Sequence, residues 1–168
     1  TYLKTKASLQ SLILALNDAN DKVQRKAIII LRRLIGSNSS EIVPALQHTL
    51  FRIIRVINMK SIDSEKDIIR NLKLLKCFIN HAPFLLKNQR DLIFKFLLGT
   101  LQNQKTTQSV SAEIFTTLSN LVCVAKTATT KYFDQLMQVT LDSLEDMAFT
   151  LKRVEAIKCL SNIVRTSG

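Results

Sequence analysis

Glycine and proline are scarce in this chain of 168 residues, which contains only 3 Gly and 2 Pro. These two residues interrupt helices and strands more often than any others, so their scarcity favours long helices joined by short turns. Hydrophobic residues make up 46% of the chain and charged residues 22%, which is the composition of a globular protein rather than a disordered one. At this length we expect one domain of ordinary size.

The segment DKVQRKAIIILRRLIG, residues 21–36, shows the clearest helical pattern. Its apolar positions recur at i, i+4, i+7, i+8 and i+11, which is one stripe of a helix, and basic residues occupy the other side. Asp21 is the expected N-cap and Gly36 the expected end. Ile29 is the one apolar residue on the basic side. The stripe consists of Val23, Ala27, Ile30, Leu31 and Leu34.

The same reasoning predicts about eight helices along the chain. Ser39 or Ser40 is the expected cap of the third, and acidic residues crowd the start of the fourth at Asp63, Glu65 and Asp67. Pro83 separates the fourth helix from the fifth. The predicted helices lie near 5–17, 21–36, 40–58, 63–81, 84–102, 106–126, 129–146 and 149–166.

An internal repeat links the second, fourth, sixth and eighth predicted helices. Aligning them places Ala27, Leu72, Ile114 and Ala156 in register, at spacings of 45, 42 and 42 residues. A period of about 40–47 residues with two helices per unit is typical of HEAT and armadillo arrays. The sequence therefore predicts an all-α solenoid of this type. We expect one helical-repeat segment, 1–168, cut from a larger protein, with four repeats near 5–36, 40–81, 84–126 and 129–166.

Buried positions follow from the repeat register. Phenylalanines such as Phe78, Phe94 and Phe115 lie in apolar runs and are expected in the core. The three cysteines, Cys77, Cys123 and Cys159, also lie in apolar helical patterns without paired spacing, which predicts reduced thiols and a cytoplasmic protein. The residues predicted to be buried between layers are Ala27, Ile30, Leu31, Leu75, Ile79, Leu118, Leu121, Ile157 and Leu160.

Catalytic and metal-binding patterns are not evident in the sequence. The glycines are isolated rather than grouped in a phosphate-binding loop. His48 and His81 lack neighbours at metal-ligand spacing, and Asp142, Glu145 and Asp146 fit a solvated acidic cluster better than an acid–base pair. We therefore predict no catalytic, cofactor, metal or small-molecule substrate site. No apolar run reaches the length of about 18 residues that spans a bilayer.

The net charge of +11 suggests a binding role. It fits either a lysine-rich solvated surface or a face for an acidic protein, nucleic acid or anionic lipid. Because second helices of HEAT repeats line the concave surface, their basic stripes are predicted to meet there and to contact protein subunits or other parts of the parent protein. Weak, solvated surface pairs are the alternative. The candidate contact residues are Lys22, Arg25, Ile29, Arg33, Lys66, Arg70, Lys73, Lys152 and Arg153.

Nucleic acid is the less favoured class of partner. It belongs to the alternative function, a HEAT or armadillo adaptor that acts in nuclear transport or associates with nucleic acid. The sequence pI of about 9.9 favours it. Aromatic residues, however, make up only 6% of the chain, and Trp is absent. The phenylalanines lie in apolar runs, so few aromatic rings are left for stacking on bases.

Several stretches, in order along most of residues 9–168, resemble the helical solenoid of target-of-rapamycin kinases. The resemblance implies a very large serine/threonine kinase, related to phosphatidylinositol 3-kinases, that controls growth in response to nutrients. It implies that this segment dimerises or docks partner subunits, that catalysis lies in a distant domain, and that the parent protein can join a membrane-associated complex. The stretches are LALND, RKAI, VPALQHTL, NHAPFLLKNQRDLIFKFLLGTLQN, KYFDQLMQVTLDSLED and LKRVEAIKCLSNIVRTSG.

Overall fold

The computed structural model describes residues 6–36, 39–58, 64–103 and 106–167, and within these ranges the regular secondary structure is entirely helical. Short 3₁₀ segments follow α1 at Ala15–Asn17 and precede α5 and α7 at Pro83–Leu86 and Lys126–Tyr132. The all-α prediction is confirmed. The helices are α1 (Lys6–Leu14), α2 (Asp21–Leu34), α3 (Ser39–Asn58), α4 (Glu65–His81), α5 (Arg90–Leu101), α6 (Gln108–Ala125), α7 (Phe133–Glu145) and α8 (Thr150–Ser167).

Helix starts differ in detail from the predictions. Asn20, not Asp21, caps α2: its backbone is extended and its Oδ1 accepts a hydrogen bond of 2.9 Å from the Lys22 N–H. Asp21 lies inside the first turn, where it favours the helix dipole. Ser39 and Ser40 also lie inside their helix, α3. The prediction that one of them caps α3 was therefore wrong, and Asp63 lies outside the described residues.

The fifth predicted helix is divided in two. Pro83 opens a 3₁₀ turn, residues 87–89 form a further turn, and α5 begins only at Arg90. Proline has a fixed φ and no N–H, so it is tolerated in the first turn of a helical segment. The prediction of one helix near 84–102 was therefore wrong at its start.

The even-numbered helices form one row, with α2 against α4, α4 against α6, and α6 against α8. Each odd-numbered helix packs against the even-numbered helix that follows it. Side chains of Arg70 and Cys77 in α4 contact the carbonyl oxygens of Asp18 and Arg25, and each pair is 52 residues apart. Because the difference in residue number stays the same along both segments, α2 and α4 run parallel. Parallel helices stacked in a row form an α-solenoid, as predicted; the division into four repeats stays a prediction.

The repeat register coincides with burial. Ala27, Leu72, Ile114 and Ala156 are all at most 3% exposed and belong to one continuous apolar cluster. Phe78, Phe94 and Phe115 are buried as predicted, and the Phe94 ring stacks on Tyr132 at 4.8 Å between centroids. Of the nine predicted core residues, six are buried: Ala27, Leu31, Leu75, Ile79, Leu118 and Leu121.

The other three core predictions were wrong. Ile30 and Leu160 are only half-buried, and Ile157 is 56% exposed. The buried face of α2 is rotated towards Gln24 and Ile28, because the Gln24 amide turns inward and donates a hydrogen bond of 2.6 Å to the Asp18 carbonyl oxygen. This hydrogen bond to the turn before α2 offsets part of the cost of burying a polar side chain.

None of the described helices combines the length and hydrophobicity needed to cross a bilayer. The cysteines are free thiols; Cys77 and Cys159 are buried, and Cys123 is half-buried.

Candidate functional site

A cleft of about 410 Å³ lies between α2 and α4. We call it the α2–α4 cleft. Each helix lines it with positions i, i+3, i+4 and i+7, which form one face of a helix. The lining residues are Lys22, Arg25, Lys26 and Ile29 from α2, and Lys73, Lys76, Cys77, Asn80 and His81 from α4.

The α2–α4 cleft has two chemically different ends. Its two walls run parallel with the offset of 52 residues given by the contacts of Arg70 and Cys77. Lys22 is therefore level with Lys73, whereas Ile29 is level with His81. One end is cationic, and the other presents an aliphatic side chain beside an amide and an imidazole.

Five cations line the cleft, and none of the described residues lining it is acidic. Two are paired from outside: Arg25 Nη2 lies 2.7 Å from Asp21 Oδ2, and Lys76 Nζ lies 2.7 Å from Glu113 Oε1. Within the described part of the chain, Lys22, Lys26 and Lys73 have no ion pair. Three uncompensated lysines give the cationic end a positive potential that favours an anionic ligand.

The floor of the cleft is apolar. Ile29 is half-buried and packs against the hydrophobic core. The Cys77 Sγ lies 3.7 Å from the Arg25 carbonyl oxygen, and burial raises the pKa of this thiol to about 11 despite the nearby Arg25 guanidinium. The thiol is therefore neutral at physiological pH and does not offset the charge of the lysines.

The structure brings together four of the nine predicted contact residues. Lys22, Arg25, Ile29 and Lys73 all line the α2–α4 cleft. Ile29 therefore lies beside Lys22, Arg25 and Lys26, whereas the Arg32 guanidinium lies over the Phe84 ring, 5.4 Å from its centroid.

The other five lie elsewhere. Arg33 and Lys66 are exposed, and Arg70 Nη2 donates a hydrogen bond of 3.1 Å to the Asp18 carbonyl oxygen. Lys152 Nζ pairs with Asp146 Oδ2 at 3.0 Å, and Arg153 Nη1 contacts Met147 Sδ at 3.2 Å. These side chains are solvated or bind their own chain.

Sequence reasoning missed most of the α4 wall. Lys76, Asn80 and His81 line the cleft but were not among the predicted contact residues. The signal was present: Lys73, Lys76, Cys77 and Asn80 have the same spacing as Lys22, Arg25, Lys26 and Ile29. The prediction instead named the stripe of Lys66, Arg70 and Lys73. Of these, Lys73 lines the cleft, Lys66 is exposed, and Arg70 bonds to the turn before α2.

A second cleft, of about 590 Å³, lies beside the turn that joins α1 to α2. Arg52 and Arg70 line it, but both donate to backbone carbonyl oxygens of that turn, at 3.0 Å and 3.1 Å. Asp18 and Asp67 line it as well, so its formal charges cancel. Its cations connect α3 and α4 to the turn between α1 and α2, which makes it a weaker candidate for a binding site.

Metal-ligand clusters are not found in the described part of the chain, where no group of three or more His, Cys, Asp or Glu residues could hold an ion. His48 and His81 are both exposed on helices. Asp146 of the acidic cluster binds Lys152, and Asp142 and Glu145 are exposed.

The chain is similar in sequence to parts of several curated proteins. It is 25% identical to the serine/threonine-protein kinase TOR of Arabidopsis thaliana, over 99% of this chain and 7% of that protein. Identity is 27% to TOR2 of Saccharomyces cerevisiae and 27% to tor1 of Schizosaccharomyces pombe, each over 96% of this chain. The chain thus spans only 6–7% of the length of these relatives.

Among solved structures, the fold is similar to a chain described as "Rix1-Rea1 pre-60S particle - 60S core, body 1". The TM-score is 0.59 at 15% identity, and the match covers 97% of this chain and 66% of that one. This likeness concerns the fold alone. No family model matches the chain.

Proposed function

Because the chain is a segment of a target-of-rapamycin serine/threonine kinase, we propose that it is a non-catalytic scaffold that binds other proteins. The parent would be a phosphatidylinositol-3-kinase-related kinase that controls cell growth in response to nutrients. We further propose that it is cytoplasmic and that the parent can join a membrane-associated complex.

The observation that supports this proposal most strongly is similarity along nearly the whole chain. Relatives from plants and yeasts align over 95–99% of it, which is more specific than any short stretch of leucine-rich helix. The chemistry of the surface is consistent with it: the α2–α4 cleft offers cations and an apolar floor without an acid–base pair. Such a surface is suited to binding a partner rather than transforming a substrate.

Deletion of this segment from the full-length parent protein tests the scaffold role. We expect unchanged phosphorylation of a generic peptide substrate and loss of at least one co-purified subunit, identified by mass spectrometry. Charge-neutral substitutions in the exposed face of α7, such as Leu141→Gln, serve as the control, because Leu141 is 47% exposed and outside the cleft. Loss of peptide phosphorylation together with intact subunit capture would refute a scaffold role.

A nucleic-acid adaptor is the second candidate, favoured by the net charge of +11 and the cleft lysines. It is tested by filter binding of a short DNA duplex across a range of salt concentrations. An affinity that falls steeply on a log–log plot against salt, with tight binding near physiological salt, would favour nucleic acid over protein. Weak binding that vanishes near 0.15 M salt would leave the scaffold proposal in place.

A further inference from the structure

We propose that the α2–α4 cleft binds an acidic segment of a partner protein that places one apolar side chain against Ile29. This inference rests on the proposed scaffold function and specifies the chemistry of its partner. It follows from the charge of the cleft, from the order of its two ends, and from the size of the space between the helices.

The positive charge of the α2–α4 cleft indicates that its ligand is negatively charged. Five cations converge on one cleft, while Asp21 and Glu113 are the only acidic residues in the described ranges that pair with any of them. Lys22, Lys26 and Lys73 have no described ion-pair partner and so repel one another. A carboxylate placed between them removes this repulsion and gains charge-assisted hydrogen bonds.

The order of the two ends determines the spacing of the ligand's side chains. Lys22 and Ile29 are seven residues apart on α2, which corresponds to about 10 Å along the helix axis. An extended peptide covers that distance in about three residues. We therefore expect acidic side chains about three positions from an apolar one, with the acidic end at Lys22 and Lys73.

The shape of the cleft favours a peptide over nucleic acid. A volume of about 410 Å³ holds a few amino-acid residues. His81 supplies the sole aromatic ring among the described lining residues, which leaves bases little surface on which to stack. The partly exposed Ile29 suits an aliphatic side chain, and the adjacent Asn80 amide can bond to a peptide backbone.

A pair of fluorescein-labelled peptides provides the probe. Both have about twelve residues, based on glycine and serine, with a Glu-Asp pair about three positions from a central residue. That central residue is leucine in one peptide and serine in the other. Fluorescence polarisation with the 168-residue chain measures Kd near 0.15 M salt, and we expect the leucine peptide to bind several-fold more tightly.

Matched charge reversals test the location. Lys26→Glu with Lys73→Glu should weaken binding by at least about tenfold, because both lysines line the cleft. Lys66→Glu with Lys87→Glu changes the net charge equally but alters exposed residues outside it, and should weaken binding by less than about threefold since remote charges are screened. Ile29→Ser should remove the preference for the leucine peptide. Circular dichroism melting of each variant confirms folding.

Three results would overturn the inference: equal weakening by both pairs of reversals, equal affinity for the leucine and serine peptides, or tighter binding of an oligonucleotide of equal charge through the same lysines. Its failure is distinguishable from failure of the scaffold proposal. If the peptides do not bind but deletion of the segment still releases a subunit, only the cleft assignment is wrong. If the peptides bind but deletion releases nothing, the scaffold proposal is wrong.

Discussion

The contact between α2 and α4 is open and cationic, whereas the contact between α6 and α8 is closed by short side chains. In the α6–α8 contact, Asn162 Nδ2 donates to Ser119 Oγ at 2.5 Å and Thr116 Oγ1 lies 3.2 Å from Glu155 Oε2. Both pairs of helices are neighbours in the same row. The earlier helix of each pair differs: α2 supplies lysine and arginine to its contact, whereas α6 supplies threonine and serine.

This difference shows how one stacking arrangement can serve two purposes. Short side chains let helices approach closely and exclude water, which adds packing and hydrogen-bond energy. Long cations keep the helices apart at the surface and leave a cleft. In our proposal the α6–α8 contact stabilises the array, and the α2–α4 cleft recognises a partner.

The largest effects should come from the core that runs beneath both contacts. Leu31 in α2 and Leu118 in α6 are fully buried. Changing either to alanine should lower the free energy of unfolding by about 2–5 kcal/mol, because each leaves a cavity. Urea denaturation measures the loss, and Ile157→Ala should change stability much less, since Ile157 is 56% exposed. A small loss for Leu31 alone would show that the cleft extends into a loose core.

Helix positions and the repeat register were predictable from sequence because apolar periodicity reports burial between layers directly. The pattern could not decide how far each helix rotates about its axis. Gln24 is buried with its amide bonded to a backbone carbonyl of the preceding turn, a contact that the pattern within one helix does not contain. The sequence therefore favoured Val23, which is 39% exposed.

Helix α8, at the end of the described array, shows a second limit of predicting burial from sequence. Val154, Ile157 and Val164 of α8 are 42%, 56% and 62% exposed, although they lie 42 residues after Ala112, Phe115 and Val122, which are at most 5% exposed. The α6 positions are covered, while the equivalent α8 positions lack a following described helix. Periodicity predicts a face suited to burial, but only the neighbouring element buries it.

The candidate site was half predictable for a related reason. Three of the predicted residues, Lys22, Arg25 and Ile29, lie together on the α2 wall of the cleft. The α4 wall depended on how α4 is turned about its axis, which is shown by the contacts of Arg70 and Cys77 with backbone carbonyl oxygens of Asp18 and Arg25. Contacts between residues 52 apart are invisible to a pattern confined to one helix.

A matched pair of cysteine substitutions should distinguish the closed contact from the open one. Cys159 in α8 is fully buried, whereas Cys77 lines the cleft. Cys159→Leu should destabilise the chain by about 1–3 kcal/mol through overpacking. Cys77→Leu should cost less, because the larger side chain can extend into the cleft. Thermal melting compares the two, and an equal loss would mean that the cleft floor is as tightly packed as the α6–α8 contact.

Alkaline pH should act through the same two thiols. Burial raises the pKa from 9.0 to about 12 for Cys159 and to about 11 for Cys77. Above pH 9 the unfolded chain loses these protons while the folded chain keeps them, so the free energy of unfolding falls as pH rises. Each thiol contributes at most about 1.4 kcal/mol per pH unit.

Urea denaturation between pH 8 and pH 10 in reducing buffer measures how steeply the free energy of unfolding falls with pH. The fall should begin near the ordinary thiol pKa of 9.0. Cys159→Ala and Cys77→Ala should each make the slope shallower than that of the unmodified chain, and the double variant should be shallower still. Comparing slopes rather than absolute stabilities separates the protonation effect from the packing lost with each thiol. Identical slopes in all four proteins would show that neither thiol is protected in the folded state.

The smallest expected effect is on the free energy of unfolding when a lysine is neutralised, and its sign differs between the α2–α4 cleft and α8. Lys73 lies among cations in the cleft, whereas Lys152 pairs with Asp146 at 3.0 Å. Lys73→Gln should therefore raise the free energy of unfolding by up to about 0.5 kcal/mol, and Lys152→Gln should lower it by a similar amount. Both changes should shrink only in part in about 0.5 M NaCl, because salt screens half-buried charges less than exposed ones. A stabilising Lys73→Gln that also weakens peptide binding would show that the chain retains this lysine for recognition at a cost in stability.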